Sequence, residues 1–346
     1  MSVYLLLAVF LLSLTVALLA TPLVGRLAVR CGAIDLPDAR KVHNKPIPRW
    51  GGIAIYLAFF LPVLGFLGWG GKGVPGLILG GTVILLAGIV DDLVGLSPKL
   101  KFLGQVVAAA VLIASGIRIQ FLTNPGGGML YLGLWGIPLT LLWVVGITNM
   151  LNLIDGLDGL AAGISSIAAT ALFFVALQKG QATVALYTVA LTGSALGFLR
   201  YNFNPARIFM GDAGSMFLGF VLAAVSIQGA LKGAATIALS IPAVALGVPI
   251  FDTVFAIIRR FHNGKPIYMA DKGHLHHRLL ALGLSQRQAV LLVYLVSICL
   301  GVDAVLLASV PAFFGVALLA LSLVVFFTVA DRLGILKQPP ARDKRH

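Results

Sequence analysis

Two adjacent carboxylates, Asp91 and Asp92, end the third long apolar run of the chain. A charged side chain at bilayer depth costs roughly 2.5–3.5 kcal/mol, and the C-terminal end of a helix disfavours anions. The pair therefore requires a cation, which Lys99, Lys101 or a bound metal ion would supply. The plainer alternative is a solvated helix end with no chemical role.

A second polar group recurs at every third position, at Asn149, Asn152, Asp155 and Asp158. Residues three apart share one face of a helix, so the spacing predicts a polar stripe at the end of the fifth apolar run. Asn and Gly also hold membrane helices together, which is the structural alternative. Aspartate suits that purpose poorly, so the stripe favours a functional site.

Asp212 stands between glycines in the sequence Gly211-Asp-Ala-Gly214, just before the eighth apolar run. A simple helix N-cap is one explanation of this residue. A helix N-terminus with a flexible backbone also suits a phosphate group. A metal ion that bridges Asp212 to a phosphate would satisfy both requirements.

A polar segment near the C-terminal third carries three histidines in four positions. Its candidate ligands are His274, His276, His277 and Arg278, and the basic residues before them are Arg259, Arg260, Lys265 and Lys272. Zinc is one candidate for the histidines, but no cysteine accompanies them, and the carboxylates elsewhere favour a hard ion such as Mg²⁺. The density of positive charge favours a diphosphate-binding loop over a merely solvated one.

The elements that must position these residues are apolar helices. Hydrophobic residues make up 59% of the 346 positions and charged residues 11%, against about 25% charged in soluble domains. The apolar residues come in blocks of about 20, the length of a membrane-spanning helix. Eleven blocks predict an all-α polytopic membrane protein, with residues 1–336 as one transmembrane catalytic domain and 337–346 as a basic cytoplasmic tail. The blocks are 3–24, 51–69, 76–93, 102–117, 135–154, 160–178, 182–199, 214–231, 235–258, 289–308 and 312–330.

Basic residues decide the orientation of the bundle. Lys72, Arg118, Lys179 and Lys232 fall on one side, and all other Lys and Arg residues fall on the opposite side. The basic side is therefore predicted to be cytoplasmic, with the N-terminus outside and the C-terminus inside. All six histidines and every aspartate except Asp303 lie near this side. The net charge of +13 suits the anionic lipids of the membrane or a polyanionic substrate, whereas nucleic acid is excluded for lack of a soluble basic domain.

Carboxylates, an asparagine and a His/Arg/Lys loop at one membrane face together suit phosphoryl-type transfer from a diphosphate donor to a lipid acceptor. An ion-coupled transporter is a distant alternative, but transporters place such residues near the bilayer midplane. A purely structural scaffold would not explain the polar face.

Five motifs in order give the chain a specific resemblance over residues 30–330. It resembles the polyprenyl-phosphate N-acetylhexosamine-1-phosphate transferases, which include the MraY, WecA and TagO types. The motifs are HNKPIPRWGG from His43, Asp91-Asp92, NMLNLIDGLDGLAAG from Asn149, FMGDAGS from Phe209 and HLHHRL from His274.

The resemblance implies a bundle of about eleven helices with a cytoplasmic catalytic cleft. It implies catalytic roles for Asp91, Asp92, Lys101 and Asp212. It implies Mg²⁺, with Mn²⁺ as an alternative, at Asn152 and Asp212. The implied lipid-phosphate ligands are Asp91, Lys99 and Lys101, and the implied nucleotide and sugar-diphosphate ligands are Asn149, Asp155, Asp158, His274, His276, His277 and Arg278.

The interrupted histidine motif, His-Leu-His-His from His274, resembles the WecA/TagO branch. That branch implies transfer of GlcNAc-1-phosphate from UDP-GlcNAc to undecaprenyl phosphate at the inner membrane of a bacterium. The products would be UMP and the lipid-linked sugar that starts teichoic-acid, O-antigen or related wall glycans. UDP-MurNAc-pentapeptide or another UDP-N-acetylhexosamine is the alternative donor, and a homodimer is among the assemblies that the family suggests.

Overall fold

A computed structural model describes residues 2–37, 45–71, 73–123, 129–230, 240–262 and 275–310, with single positions between 314 and 328. Twelve α-helices and two short antiparallel hairpins form this part of the chain. The helices are α1 (Val3–Arg30), α2 (Gly51–Leu67), α3 (Val74–Val94), α4 (Pro98–Ala114), α5 (Gly136–Ile154), α6 (Leu160–Gln178), α7 (Ala182–Asn202), α8 (Gly211–Ala230), α9 (Ser240–Ala245), α10 (Gly247–His262), α11 (Leu275–Ala281) and α12 (Gln286–Ser309). The hairpins pair β1 (Ile34–Asp35) with β2 (Ile47–Pro48) and β3 (Phe121–Thr123) with β4 (Met129–Tyr131).

Seven of the described helices are long and apolar enough to cross a bilayer: α1, α3, α5, α6, α7, α8 and α12. The prediction of an all-helical integral membrane protein is therefore confirmed. Helix α2 is apolar but has 17 residues, which span roughly 25 Å at 1.5 Å per residue. The predicted eleventh helix at 312–330 and the tail at 337–346 lie almost wholly outside the described residues.

Local signals explain where two helices begin. Ser97 caps α4 by accepting a hydrogen bond from the Leu100 amide, and Pro98 occupies the first helical position, where its missing amide hydrogen costs nothing. Helix α4 therefore starts at residue 98, although the apolar run predicts a start at 102. Ser285 and Gln288 form a reciprocal capping box at the start of α12, which ties down two free amides.

The predicted helix at 235–258 is replaced by two shorter ones. Residues 231–239 lie outside the described part, and the chain then forms α9 and α10, which are separated by a turn at Leu246. Pro242 lies in the first turn of α9, where a proline is tolerated because its missing amide hydrogen has no helical partner. Helix α11, in the polar segment that carries the histidines, is an element that the apolar pattern did not predict.

Helix α8 lies at the centre of the bundle. Most of its residues are buried, and it packs against α2, α3, α5, α6 and α7. Two glycines allow its N-terminal turn to approach its neighbours closely. A Cβ on Gly52 of α2 would overlap the backbone of Gly214, and a Cβ on Gly88 of α3 would overlap the backbone of Ala213. These contacts fix the position of Asp212, which lies in the same turn.

Candidate active site

Three helices contribute charged side chains to one ion-pair group. The Lys101 ammonium of α4 contacts the Asp212 carboxylate of α8 and lies 3.0 Å from Oδ2 of Asp91 on α3. The other Asp91 oxygen accepts a 2.7 Å hydrogen bond from the Leu96 amide. Of the two lysines expected near the Asp91–Asp92 pair, Lys101 is therefore the one that contacts Asp91. Lys99 is exposed and forms no ion pair within the described part of the chain.

Asp92 turns away from this group and binds the N-terminus of α8. Its carboxylate oxygens accept hydrogen bonds from the amides of Asp212 at 3.1 Å and Ala213 at 3.4 Å. The Asp92 side chain is 2% exposed, and the Arg49 guanidinium lies 3.9 Å from it. The free amides of a helix N-terminus favour an anion. The N-terminus of α8, which the sequence predicts as a phosphate site, is thus occupied by the carboxylate of Asp92.

Asn152 connects α5 to the same turn. Its side-chain amide donates to Oδ1 of Asp212 at 3.0 Å and to Oγ of Ser215 at 2.8 Å. No described residue donates a hydrogen bond to the amide oxygen of Asn152, so this oxygen is available to a ligand. Ser215 Oγ in turn donates to the Gly211 carbonyl, so the amide is held in one orientation.

These residues fit Mg²⁺ as candidate ligands. The oxygen of Asn152 and the carboxylate of Asp212 are the hard donors that Mg²⁺ prefers, and this ion commonly binds one or two carboxylates together with water and substrate phosphates. No cluster of three or more His, Cys, Asp or Glu side chains suited to a metal occurs among the residues described. The donor set therefore suits an ion shared with a diphosphate substrate rather than a closed protein cage.

Asn149 makes a reciprocal amide pair with Gln105. Asn149 Nδ2 donates to Gln105 Oε1 at 2.6 Å, and Gln105 Nε2 donates to Asn149 Oδ1 at 3.1 Å. Gln105 is 1% exposed and lies one helical turn after Lys101 on α4. This pair joins α4 to α5 and does not line the large cavity described below, although Asn149 was predicted as a nucleotide ligand.

The predicted helical stripe ends halfway. Helix α5 stops at Ile154, so only the two asparagines lie on it, while Asp155 is its C-cap and Asp158 lies in the turn before α6. The chain can turn here because Gly159 adopts a φ of 83°, a left-handed conformation that costs glycine little. Asp158 accepts hydrogen bonds from Asn204 Nδ2 at 3.0 Å and from the Ala206 amide at 2.9 Å.

Asp155 lies in the most acidic part of this end of the bundle. Burial raises the pKa of its carboxyl well above the usual range, and the charges of Asp212, Asp92 and Asp158 raise that pKa further. A carboxyl in such surroundings favours a proton, a cation or a hydrogen-bond donor of a ligand over solvent.

A cavity of about 730 Å³ opens at this end of the bundle. A volume of this size accommodates a ligand as large as a nucleotide sugar. Its lining combines carboxylates with amides and basic groups, which include Asp92, Asp155, Asp158, Asp212, Asn202, Asn204, Lys45, Arg49, Arg207 and His277.

The histidine segment is only partly described. His277 is exposed and lines the cavity, and Arg278 is half-buried on α11. His274 and the side chain of His276 lie outside the described residues.

Arg49 was missed as a site residue by the sequence reasoning. It pairs with the buried carboxylate of Asp35 and lines the cavity. It stands inside the HNKPIPRWGG motif, two residues before Gly51, and the motif alone does not indicate which residues it contacts. The β1–β2 hairpin, which carries Asp35 and leads into Arg49, brings it to the site.

Comparison with known families matches residues 74–230 to the family described as glycosyl transferase family 4. This range starts with α3 and ends with α8, and it contains the Asp91–Lys101–Asp212 group and Asn152. Most of the ionic part of the site therefore lies inside the family match.

Two curated relatives extend the similarity over most of the chain, and a third matches a little over half of it. A Bacillus subtilis protein named probable undecaprenyl-phosphate N-acetylglucosaminyl 1-phosphate transferase is 41% identical over 330 residues, which cover 95% of this chain and 92% of the relative. A Mycobacterium leprae decaprenyl-phosphate N-acetylglucosaminephosphotransferase is 41% identical over 82% of this chain and 80% of its own length. A Lactiplantibacillus plantarum phospho-N-acetylmuramoyl-pentapeptide-transferase is 36% identical over 57% of this chain and 66% of its own.

Proposed function

We propose, from the fact that the chain belongs to glycosyl transferase family 4, that it transfers N-acetylglucosamine 1-phosphate from UDP-N-acetylglucosamine to undecaprenyl phosphate. The observation that carries the proposal is the ionic group of Asp91, Lys101, Asn152 and Asp212 beside a polar cavity of about 730 Å³. The names of the two relatives that are 41% identical support the donor sugar and the polyprenyl acceptor.

In the proposed reaction, an oxygen of the acceptor phosphate attacks the phosphorus that carries the sugar. The bond between that phosphorus and the bridging oxygen of the diphosphate breaks, and the electron pair leaves with UMP. The acceptor is already an anion, so positioning and electrostatic stabilisation matter more than a strong base. Transfer gives GlcNAc-diphospho-undecaprenol, the starting lipid of a cell-wall glycan.

Lys101 is the residue we assign to stabilise the charge that develops on the diphosphate. Its ammonium already lies between two carboxylates that belong to different helices, so it is held in place before substrate arrives. When bound by Asn152 and Asp212, Mg²⁺ (or Mn²⁺) would neutralise the diphosphate and the leaving group. Asp91 would place Lys101 and the acceptor phosphate, and Asp92 would hold the α8 turn that carries Asp212.

Donor recognition is assigned to the loop side of the cavity. Asp155 and Asp158 would contact the nucleotide, and His277 with Arg278 and the neighbouring His274 and His276 would contact the diphosphate and sugar. Loops supply specificity while the helices beneath stay rigid. The lining of the cavity supports this assignment, because it includes the 155–158 turn, residues 204–207 and His277.

The membrane arrangement completes the proposal. We assign eleven spanning helices, an outside N-terminus and a cytoplasmic C-terminus, because the basic residues gather on one side. The cavity would then open to the cytoplasm at the inner membrane of a bacterium, where nucleotide sugars occur. A homodimer is the assembly that we propose.

The test is a transfer assay on purified protein with undecaprenyl phosphate, Mg²⁺ and either radiolabelled UDP-GlcNAc or UDP-MurNAc-pentapeptide. We expect lipid-linked label from UDP-GlcNAc alone, and its loss in EDTA. The second donor is included because a relative named as a pentapeptide transferase is 36% identical over part of the chain. Label from the pentapeptide donor alone would overturn the donor sugar, and label from neither would overturn the transferase proposal.

Two variants test the metal assignment in the same assay. Asp212→Asn and Asn152→Leu should each lower turnover by roughly two to three orders of magnitude, the usual effect of removing one group that stabilises a transition state. Both variants should also lose the increase in unfolding temperature that Mg²⁺ gives the parent protein. An Asp212→Asn variant that folds and keeps full, Mg²⁺-dependent activity would refute the assignment.

A further inference from the structure

A second cavity, of about 560 Å³, lies beside the catalytic one. It is formed by the C-terminal half of α1, the end of α7 and residues 207–208. We call it the arginine groove. Its charged lining residues are Arg26, Arg30 and Arg207, and its apolar and small lining residues are Pro22, Gly25, Val29, Pro48, Tyr201 and Ile208.

The three guanidinium groups of the arginine groove have no partner in the part of the chain that the structure describes. No ion pair or side-chain hydrogen bond joins Arg26, Arg30 or Arg207 to another of the described residues. All three are exposed. By contrast, Arg49, Lys101 and Arg287 at the same end of the bundle have carboxylate or carbonyl partners. The groove therefore gathers positive charge that no described residue neutralises.

The arrangement of these arginines is built by the fold rather than scattered over the surface. Arg26 and Arg30 are four residues apart on α1 and share one helical face with Pro22. A basic residue in the last turn of a helix also complements the helix dipole, which accounts for Arg30 alone. Arg207 comes from a separate segment that follows α7. The backbone amide of Arg207 donates a hydrogen bond to the Tyr201 carbonyl at 2.8 Å.

The groove combines a cationic rim with an apolar wall beside a membrane-spanning helix. Such a surface complements a lipid with an anionic headgroup, because the phosphate can meet the guanidinium groups while an acyl chain lies along the helix. Neutral lipids would gain only the apolar contact. We propose that the arginine groove binds one anionic phospholipid of the bilayer.

The phospholipid proposed for the groove is distinct from the acceptor lipid, because the groove lacks the residues of the catalytic ionic group. None of Asp91, Asp92, Lys101, Asn152 or Asp212 lines it, so a phosphate held here is not in contact with the ionic group of the catalytic site. Among the described residues, Arg207 alone lines both cavities.

Occupation of the groove would reach the catalytic cavity through this shared segment. The amide of Ala206, next to Arg207, donates to Asp158 at 2.9 Å, and the amide of Phe209 donates to the Pro48 carbonyl at 2.9 Å. A headgroup on Arg207 would thus steady the segment that contacts Asp158. We expect anionic phospholipid to increase transfer activity, a consequence that rests on the proposed function, whereas the binding itself does not.

The first test measures binding without activity. Purified protein in detergent is titrated with phosphatidylglycerol or with phosphatidylcholine of the same acyl chains, and retained lipid is counted by native mass spectrometry. We expect one tighter site for phosphatidylglycerol, weakened about fivefold by Arg26→Gln or Arg30→Gln, the usual contribution of one basic residue near an anionic surface, and further in the double variant. Arg200→Gln is the matched control, since Arg200 is exposed at the same end of the bundle but does not line the groove.

Three results would overturn the proposal. The first is equal retention of both phospholipids by the parent protein. The second is unchanged phosphatidylglycerol binding in Arg26→Gln, Arg30→Gln and the double variant, or equal weakening in Arg200→Gln. The third is that undecaprenyl phosphate competes with phosphatidylglycerol for the groove and that Arg30→Gln raises the KM for undecaprenyl phosphate in nanodiscs of neutral lipid. This result would assign the groove to the acceptor lipid. Failure of the transfer assay with a preserved phosphatidylglycerol site would refute the proposed function alone.

Discussion

The ion pairs of Lys101 lead to the most specific prediction about the site. Replacing Lys101 by methionine keeps the length of the side chain and removes its charge. The carboxylates of Asp91 and Asp212 would then share a partly buried position without their cation. We expect the Lys101→Met protein to be less stable than the parent in EDTA.

The size of the effect follows from the exposure of the pair. Removing one partner of a fully buried ion pair costs about 3–5 kcal/mol, whereas surface pairs contribute about 0–1 kcal/mol. The side chains here are 21% exposed for Lys101, 13% for Asp91 and 28% for Asp212, which places the pair between the two limits. A loss of about 2 kcal/mol is therefore expected, which lowers the midpoint of thermal unfolding by several degrees.

The assay compares unfolding midpoints of purified parent, Lys101→Met and Lys99→Met proteins in EDTA and in millimolar Mg²⁺. Lys99→Met is the matched control of stability, because Lys99 is exposed on the same helix. Mg²⁺ should raise the midpoint of Lys101→Met more than that of the parent, since a cation at Asp212 replaces the lost charge. A Lys101→Met midpoint equal to or above that of the parent in EDTA would refute the electrostatic reasoning.

Three further predictions concern the residues that hold this site in place. Asp92→Ala should lose about 1–2 kcal/mol of stability, because two amides of α8 lose their acceptor. Asp92→Asn keeps one acceptor oxygen and should lose less. Equal losses of the two variants in thermal unfolding would contradict this prediction. Gly88→Ala should lower transfer activity at least about tenfold by displacing the α8 turn, whereas Gly65→Ala, with open space around its Cβ, should leave activity unchanged. Gln105→Leu should cost about 1–3 kcal/mol in thermal unfolding, because the Asn149 amide loses its partner, and a midpoint like that of the parent would show that water replaces the pair.

Much of the architecture is predictable from composition because the bilayer imposes a simple rule. Spanning segments must be long, apolar and helical, so the helices that became α1, α3, α5, α6, α7, α8 and α12 could be located from apolar runs. Helix ends were less predictable, because they depend on caps such as Ser97 and on the glycine turn at Gly159. The break between α9 and α10 at Leu246 falls inside the apolar run 235–258, so hydropathy alone does not locate it.

The residue types of the site could be predicted, but several of their partners could not. The need of the Asp91–Asp92 pair for a cation was readable from the sequence, because charge at a helix C-terminus requires compensation. That Asp92 would instead bind the start of α8, 120 positions away, depends on how closely α3 and α8 pack at Gly88. The Asn149–Gln105 pair is non-local in the same way, so the three-residue spacing of the polar stripe could not predict the partner of Asn149.

The site divides into two parts with different mechanical support, and this division bears on specificity. Asp91, Lys101, Asn152 and Asp212 are carried by α3, α4, α5 and α8, respectively. Helices α3 and α5 pack on the buried α8, and α4 packs on α3 and α5, so the geometry of the group changes only if the bundle repacks. The other part consists of turns and short segments, which carry Asp158, Asn204 and His277. Variation among relatives with different donor sugars should therefore concentrate in the second part, while the reacting group stays the same. The hydrogen bonds from Asn204 to Asp158 and to Gln286 of α12 tie the second part to a helix of the bundle, so a change of donor pocket would reach the bundle through these contacts.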